Sequence, residues 1–128
     1  MSWSVLVVDD EPMTQNLMRM MLEPVGFDVI AAMDGVEALE CIKKSVPDVM
    51  ILDVMMPKMD GLEVCRILRQ QPSTADLPIM MFSGKTNFTA EQEGLEAGAN
   101  CYRFKPIGRA DLIETLKSLI NQNQAVVN

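Results

Sequence analysis

Acids close two short apolar runs of this chain, and a lysine closes a third. The runs are Val5-Leu6-Val7-Val8-Asp9-Asp10, Val49-Met50-Ile51-Leu52-Asp53 and Cys101-Tyr102-Arg103-Phe104-Lys105-Pro106. A brief apolar run reads as a buried strand, and a polar residue at its carboxyl end points into the crevice where open α/β sheets bind ligands. Three carboxylates gathered there repel one another unless a hard cation neutralises them. A lysine beside them adds a fixed positive charge. Such a set suits Mg²⁺ and a phosphoryl group.

Taken singly, each residue has a plainer reading. Asp10 stands just ahead of Pro12 and could cap a helix. Asp53 could start a turn, Ser83 precedes Gly84 as turn residues do, and Lys105 could be a solvated surface lysine. Their joint distribution argues otherwise. Asp9-Asp10, Asp53, Ser83 and Lys105 close the first, third, fourth and fifth predicted strands and skip the second. Helix caps have no reason to be distributed in that way.

The elements that must position these residues alternate along 128 residues, a length that suits one domain. Val5–Val8 reads as the first strand. Pro12 suits a first helical turn, and Met13, Leu17, Met20 and Met21 fall on one face of the helix that follows. Pro24 and Gly26 stop it, and 27–31 is the second strand. Asp34 with Glu37 reads as a capping box for a helix burying Val36, Leu39 and Ile42. The third strand is 49–53. Asp60 is expected to cap a helix reaching about Gln71, and 72–77 is loop. Pro78–Ser83 is the fourth strand. Thr89 and Gln92 suggest the cap of a short helix ending near Gly98, in which Leu95 is the only large apolar residue. The fifth strand is 100–104, and Leu112, Ile113, Leu116, Leu119 and Ile120 mark the last helix.

Five β and five α units in alternation predict a doubly wound, five-stranded parallel sheet of flavodoxin-like (βα)5 type. The order 2-1-3-4-5 puts the ends of strands one and three at the switch point, where Asp9, Asp10 and Asp53 would meet. The domain is expected over 1–121, with 122–128 a tail or the start of a linker.

Composition narrows the classes. The net charge of −7 argues against direct nucleic-acid binding, which needs a basic face. With no histidine, the chain has no His-based catalysis and no His-ligated zinc. Three cysteines without a C-x-x-C read as reduced core thiols of a cytoplasmic protein. Neither a secretory signal pattern nor a run long enough to span a membrane is seen. Of the twelve methionines, Met13, Met20, Met21, Met50, Met80 and Met81 read as core filler, and Met33, Met56 and Met59 as more exposed. Val54 and Ile107 read as apolar positions where partners dock.

Over nearly its whole length the chain resembles the receiver domain of two-component response regulators. The residues that carry the resemblance are Val8-Asp9-Asp10-Glu11, the stretch Asp53-Val54-Met55-Met56-Pro57-Lys58-Met59-Asp60-Gly61, Ser83, and Lys105-Pro106. It implies Asp53 as phosphoacceptor and Mg²⁺ as cofactor, held by Asp10, Asp53, the Met55 backbone carbonyl and, through water, Asp9. It implies that Lys105 and Ser83 neutralise phosphoryl oxygens, with the Lys105–Pro106 bond cis. Ser83 and Tyr102 would form a switch acting on the face of the fourth helix, fifth strand and fifth helix. The implied partners are a histidine kinase or histidine phosphotransfer protein and a downstream output protein or domain, and the resemblance allows a phosphorylation-dependent dimer. The family tunes water's access to the aspartyl-phosphate at the positions of Met55 and Lys85.

Three other classes fit less well. A dehalogenase-like hydrolase needs a second acid two residues after the nucleophile, where this chain has Met55. An FMN binder wants a Ser/Thr/Gly-rich phosphate loop, and Asp9-Asp10-Glu11-Pro12 would repel a phosphate. A phosphate-independent pseudo-receiver, acting only as an interaction module, has no need of the full set of five site residues.

Overall fold

Apolar strands need both faces covered, and a computed structural model shows how this chain does it. The structure describes residues 2–84 and 87–127, with side chains as far as Asn123; Lys85 lies outside the described residues. Five strands, β1 (Ser4–Val8), β2 (Asp28–Ala32), β3 (Val49–Leu52), β4 (Ile79–Ser83) and β5 (Cys101–Phe104), form one parallel sheet. Its order is β2-β1-β3-β4-β5, as expected. The helices are α1 (Pro12–Leu22), α2 (Gly35–Lys44), α3 (Gly61–Arg69), α4 (Phe88–Ala97) and α5 (Arg109–Val127). No described helix is long and apolar enough to cross a membrane.

The period-two alternation of strands splits the core in two. Val5 and Val7 of β1, with Val49, Ile51, Met80 and Phe82, meet Met18, Met21 and Leu22 of α1 and Leu112, Leu116 and Ile120 of α5. On the other face Leu6, Val8, Met50, Leu52, Ile79 and Met81 meet Ala38 and Ile42, Val64, Cys65 and Leu68, Ala97 and Tyr102. The three cysteines are free thiols, Cys65 buried and Cys41 and Cys101 half-buried.

Local chemistry starts and stops the helices. Asp34 Oδ1 accepts from Glu37 N at 2.8 Å, and Asp60 Oδ1 accepts from Glu63 N at 2.9 Å, so both aspartates cap as expected. A 3₁₀ turn at Glu23–Val25 and Gly26, at φ 100°, end α1. Arg69 at the end of α3 gathers the loops beyond it: its Nε donates to Gly98 O at 2.9 Å, Nη1 to Thr74 O at 3.0 Å and Nη2 to Asn100 Oδ1 at 3.0 Å.

Four readings need correction. In α1 the buried face is Gln15, Met18, Met21 and Leu22, while Met13, Leu17 and Met20 face solvent at 81%, 50% and 73% exposure. Apolar residues surround this helix, so two stripes compete and hydropathy alone favours the wrong one. In α2 the small residues Gly35 and Ala38 are buried with Ile42, Leu39 is half-buried and Val36 is exposed. In α4 the cap is Asn87, whose Oδ1 accepts from Ala90 N at 2.7 Å, and Leu95 is exposed because Gly94 and Ala97 make the contact face. Val54 is buried, and Ile107, Met56 and Met59 pack partly against the core; Met33 is exposed as expected. The helical backbone of α5 runs on to Val127, past the last core residue Ile120.

Candidate functional site

Register assembles the site. Val8 pairs with Leu52, so Asp9 and Asp53, each the next residue, leave adjacent strands side by side. Their alignment is secured by Asp53 N donating to Val8 O at 2.9 Å and Asp9 N donating to Ala32 O at 3.1 Å. Ser83 pairs with Phe104, so Lys105 emerges next to the end of β4, where its N donates to Ser83 O at 2.8 Å. The Lys105–Pro106 bond is cis, as expected. All the site residues therefore stand at one edge of the sheet, and the skipped second strand is the one outside β1.

Asp9, Asp10 and Asp53 each offer a carboxylate oxygen, and these oxygens lie within 4.8 Å of one another. Asp9 and Asp53 are buried and Asp10 is exposed, so the cluster opens to solvent on one side. Three hard anionic oxygens around one opening fit Mg²⁺, which prefers a few carboxylates and keeps several waters. Asp10 is not a helix cap: Glu11 holds the N-cap position, and Asp9 Oδ1 accepts from Glu11 N at 2.9 Å. Lys105 Nζ donates to Asp9 Oδ2 at 2.8 Å and stands 3.7 Å from Asp53 Oδ2. Its stem reaches the cluster past Phe82, with Nζ 5.4 Å from the ring centroid.

In the absence of metal the surroundings of Asp53 oppose its ionisation. Burial pushes the Asp53 carboxyl up to about 6, against the Lys105 charge, which lowers it; Asp9 raises it, the hydrogen bond from Met55 N at 3.3 Å lowers it, and Asp10 raises it. For Lys105, burial alone would lower the ammonium, but the Asp9 hydrogen bond and the charges of Asp53, Asp9 and Glu11 outweigh it and hold it above the usual lysine range. The lysine proton is thus held firmly, while Asp53 gives up its proton at a higher pH than an ordinary carboxyl does.

The loop after β3 is shaped around Asp53. Gly61 N donates to Val54 O at 2.9 Å, and a Cβ on Gly61 would collide with the Asp53 carbonyl oxygen. Gly61→Ala is therefore expected to lower stability by about 1–3 kcal/mol and to displace Asp53, read as a lower Tm together with weaker Mg²⁺ binding. Lys58 adopts φ 70° at the centre of a γ-turn in which Met59 N donates to Pro57 O at 2.8 Å. Its Nζ lies 3.6 Å from Asp34 Oδ2, the cap of α2.

Ser83 is fully buried at the last position of β4. Tyr102 is 3% exposed, so its ring already lies inside the protein. A Cβ on Gly94 would fall 2.8 Å from Tyr102 Cδ2, which makes glycine the residue of α4 that accommodates the ring. Phe104 meets that ring edge-on at 5.6 Å and is itself partly exposed. Met55 is 58% exposed beside Asp10. Sequence reasoning missed Gln15, Lys58 and Arg69. Gln15 stands in the polar run Thr14-Gln15-Asn16, so the sequence carried no signal that set it apart.

Residues 5–117 match the family model described as the response regulator receiver domain. The response regulator MprA of Mycobacterium ulcerans is 41% identical over 124 residues, which are 97% of this chain and 53% of that protein. The chain thus spans about half the length of the curated relatives it matches. A solved structure from Chloroflexus aurantiacus, described as a response regulator, superposes with a TM-score of 0.91 at 36% identity, covering 94% of this chain and 99% of that one. The receiver domain of the Pseudomonas aeruginosa sensor histidine kinase PA1611, described with magnesium coordinated in its active-site cleft, superposes with a TM-score of 0.88 at 28% identity, covering 94% and 99%. With the strand order, the acid cluster and the family match in agreement, this chain belongs to the response regulator receiver domain family.

Proposed function

We propose that the chain is the phospho-receiver of a two-component system, in which Asp53 takes a phosphoryl group from a phosphohistidine donor in a Mg²⁺-dependent step. One observation carries the reading: a buried carboxylate, Asp53, is flanked by two further acids within 4.8 Å and by a lysine ammonium at 3.7 Å. Response regulators are signalling switches that act with histidine kinases and output domains, and this chain is read as a switch of that kind rather than a metabolic enzyme.

The transfer balances simply. An ionised Asp53 oxygen attacks phosphorus, a P–O bond forms, and the P–N bond to the donor imidazole breaks. The imidazole leaves with the electron pair and takes its proton from solvent. Bound Mg²⁺, held by Asp10, Asp53, the Met55 carbonyl and, through water, Asp9, would supply the charge that lets three anionic oxygens share this site. Lys105 is placed to neutralise a second phosphoryl oxygen, and Ser83 is assigned the third. Occupation by phosphoryl would then bias Ser83, Tyr102 and α4. The small contact face of α4, Gly94 and Ala97, supports an adjustable helix. The donor would approach from the open side at Asp10, where the exposed stripe Met13, Leu17 and Met20 offers apolar surface.

The test is intact mass after incubation with Mg²⁺ and acetyl phosphate. A single phosphoryl adduct that disappears without metal supports the reading, and no adduct under conditions that trap an aspartyl-phosphate sinks it. The apolar Met55 side chain beside the acceptor is expected to slow attack by water. Met55→Asn should shorten the adduct's half-life several-fold, measured by the decay of the phosphorylated mass; an unchanged or longer half-life would refute the shielding.

A further inference from the structure

Gln15 is 5% exposed, and the rest of its buried helix face is apolar. Its Nε2 donates to three backbone carbonyls: Val7 O at 2.8 Å, Asp9 O at 3.1 Å and Ala32 O at 3.1 Å. An amide carries two such protons, so one is shared. Its Oε1 is buried and has no hydrogen-bond partner among the described residues. Burying an unpaired amide oxygen is unfavourable. The side chain is therefore placed there for its donors.

The position of those donors is informative. β2 ends at Ala32, which pairs with Val8, and Asp9 N donating to Ala32 O is the rung that follows. The Asp9 carbonyl lies one step further, past the end of β2. Gln15 supplies the N–H that a longer strand would have given, and the same amide binds the carbonyls on both sides of the gap. The Asp9 carbonyl belongs to the peptide unit that joins Asp9 to Asp10. Whatever holds that oxygen holds the plane from which both acids of the pair project.

The geometry points to Gln15 as a positioning residue for the metal site: it fixes the Asp9–Asp10 peptide plane so that both carboxylates converge on Asp53. The inference rests on the Mg²⁺ reading above. Groups that orient metal ligands from behind commonly change affinity by 10-fold or more when removed.

The experiment is Mg²⁺ titration by calorimetry, with Tm measured in parallel, on wild type, Gln15→Met, Gln15→Asn and Met18→Ala. Gln15→Met keeps the length and removes the donors. Gln15→Asn keeps the amide but draws it back by one methylene. Met18→Ala takes packing from the same helix and removes no hydrogen bond to the three carbonyls. Gln15→Met should weaken Mg²⁺ binding about 10-fold or more and shift the amide resonances of Asp10 and Glu11. Gln15→Asn should weaken it too, and it decides the matter if Gln15→Met does not fold. Met18→Ala should lower Tm and leave affinity unchanged. A Gln15→Met protein with a lower Tm but wild-type affinity overturns the proposal, as does an equal loss of affinity in Met18→Ala. A wild type that binds no Mg²⁺ overturns the metal reading itself, so the two failures are separable.

Discussion

Asp53→Asn should make the metal-free protein more stable at neutral pH while abolishing phosphoryl uptake. The stabilisation follows from the burial of Asp53 itself. Asp53 is 6% exposed and its carboxyl is pushed up to about 6 from an ordinary 3.8. In the folded state this group binds its proton more tightly than in the unfolded state. Stability therefore falls as pH rises through the window from about 4 to about 6 and stays reduced above it. The gap between the two values corresponds to a cost on the order of 3 kcal/mol at neutral pH. Asparagine mimics the protonated acid and avoids that cost. Urea unfolding without metal should show a gain for Asp53→Asn at about pH 8 that vanishes near pH 4. Mg²⁺ should stabilise wild type far more than the variant, because Asp53 is one of the three oxygens of the cluster. Equal stabilities at both pH values would show that Asp53 ionises freely and that its neighbours do not strain it.

Lys105→Met should separate metal binding from phosphoryl transfer. The ammonium lies 2.8 Å from Asp9 Oδ2 and 3.7 Å from Asp53 Oδ2, so in the metal-free protein it stands where a cation would. Its removal takes away a competing positive charge, and Mg²⁺ affinity should hold or rise. Transfer should slow nonetheless, by about 100-fold, the usual effect of deleting one fixed group that meets charge developing on the reacting oxygens. Methionine keeps the stem that passes Phe82. Adduct formation should be followed at saturating Mg²⁺, with affinity measured separately. A variant whose slower transfer is fully restored by more Mg²⁺ would show that the lysine acts only through the metal.

Both results were approachable from the sequence because the chemistry sits where strands end. Continuous runs such as Val49–Leu52 give the strand and its terminus together, and parallel register turns three termini into one site. Asp34 and Asp60 were legible as caps because a cap is a local bond, made three residues on. The face of α1 was not legible. Met13, Leu17 and Met20 lost to a face containing Gln15 because three backbone carbonyls, contributed by β1, β2 and the residue after β1, reward an amide at that place. No helical periodicity encodes acceptors that other segments provide. The same holds for Asn87 over Thr89, where the choice of cap depends on how the chain enters α4. It holds too for the left-handed Lys58, whose partner Asp34 is distant in sequence.

The outward turn of two methionines has a chemical consequence. Thioethers oxidise to sulfoxides in proportion to their exposure, and the product is polar and chiral. Met13 and Met20 stand open on α1, whereas Met18, Met50, Met80 and Met81 are sealed in the two cores. Mild peroxide would therefore mark the α1 surface, together with the loop residues Met33 and Met55, and spare the two cores. That surface begins one turn from Asp10, so the face flanking the acid site would become hydrophilic in an oxidised cell and recover when methionine sulfoxide reductases act.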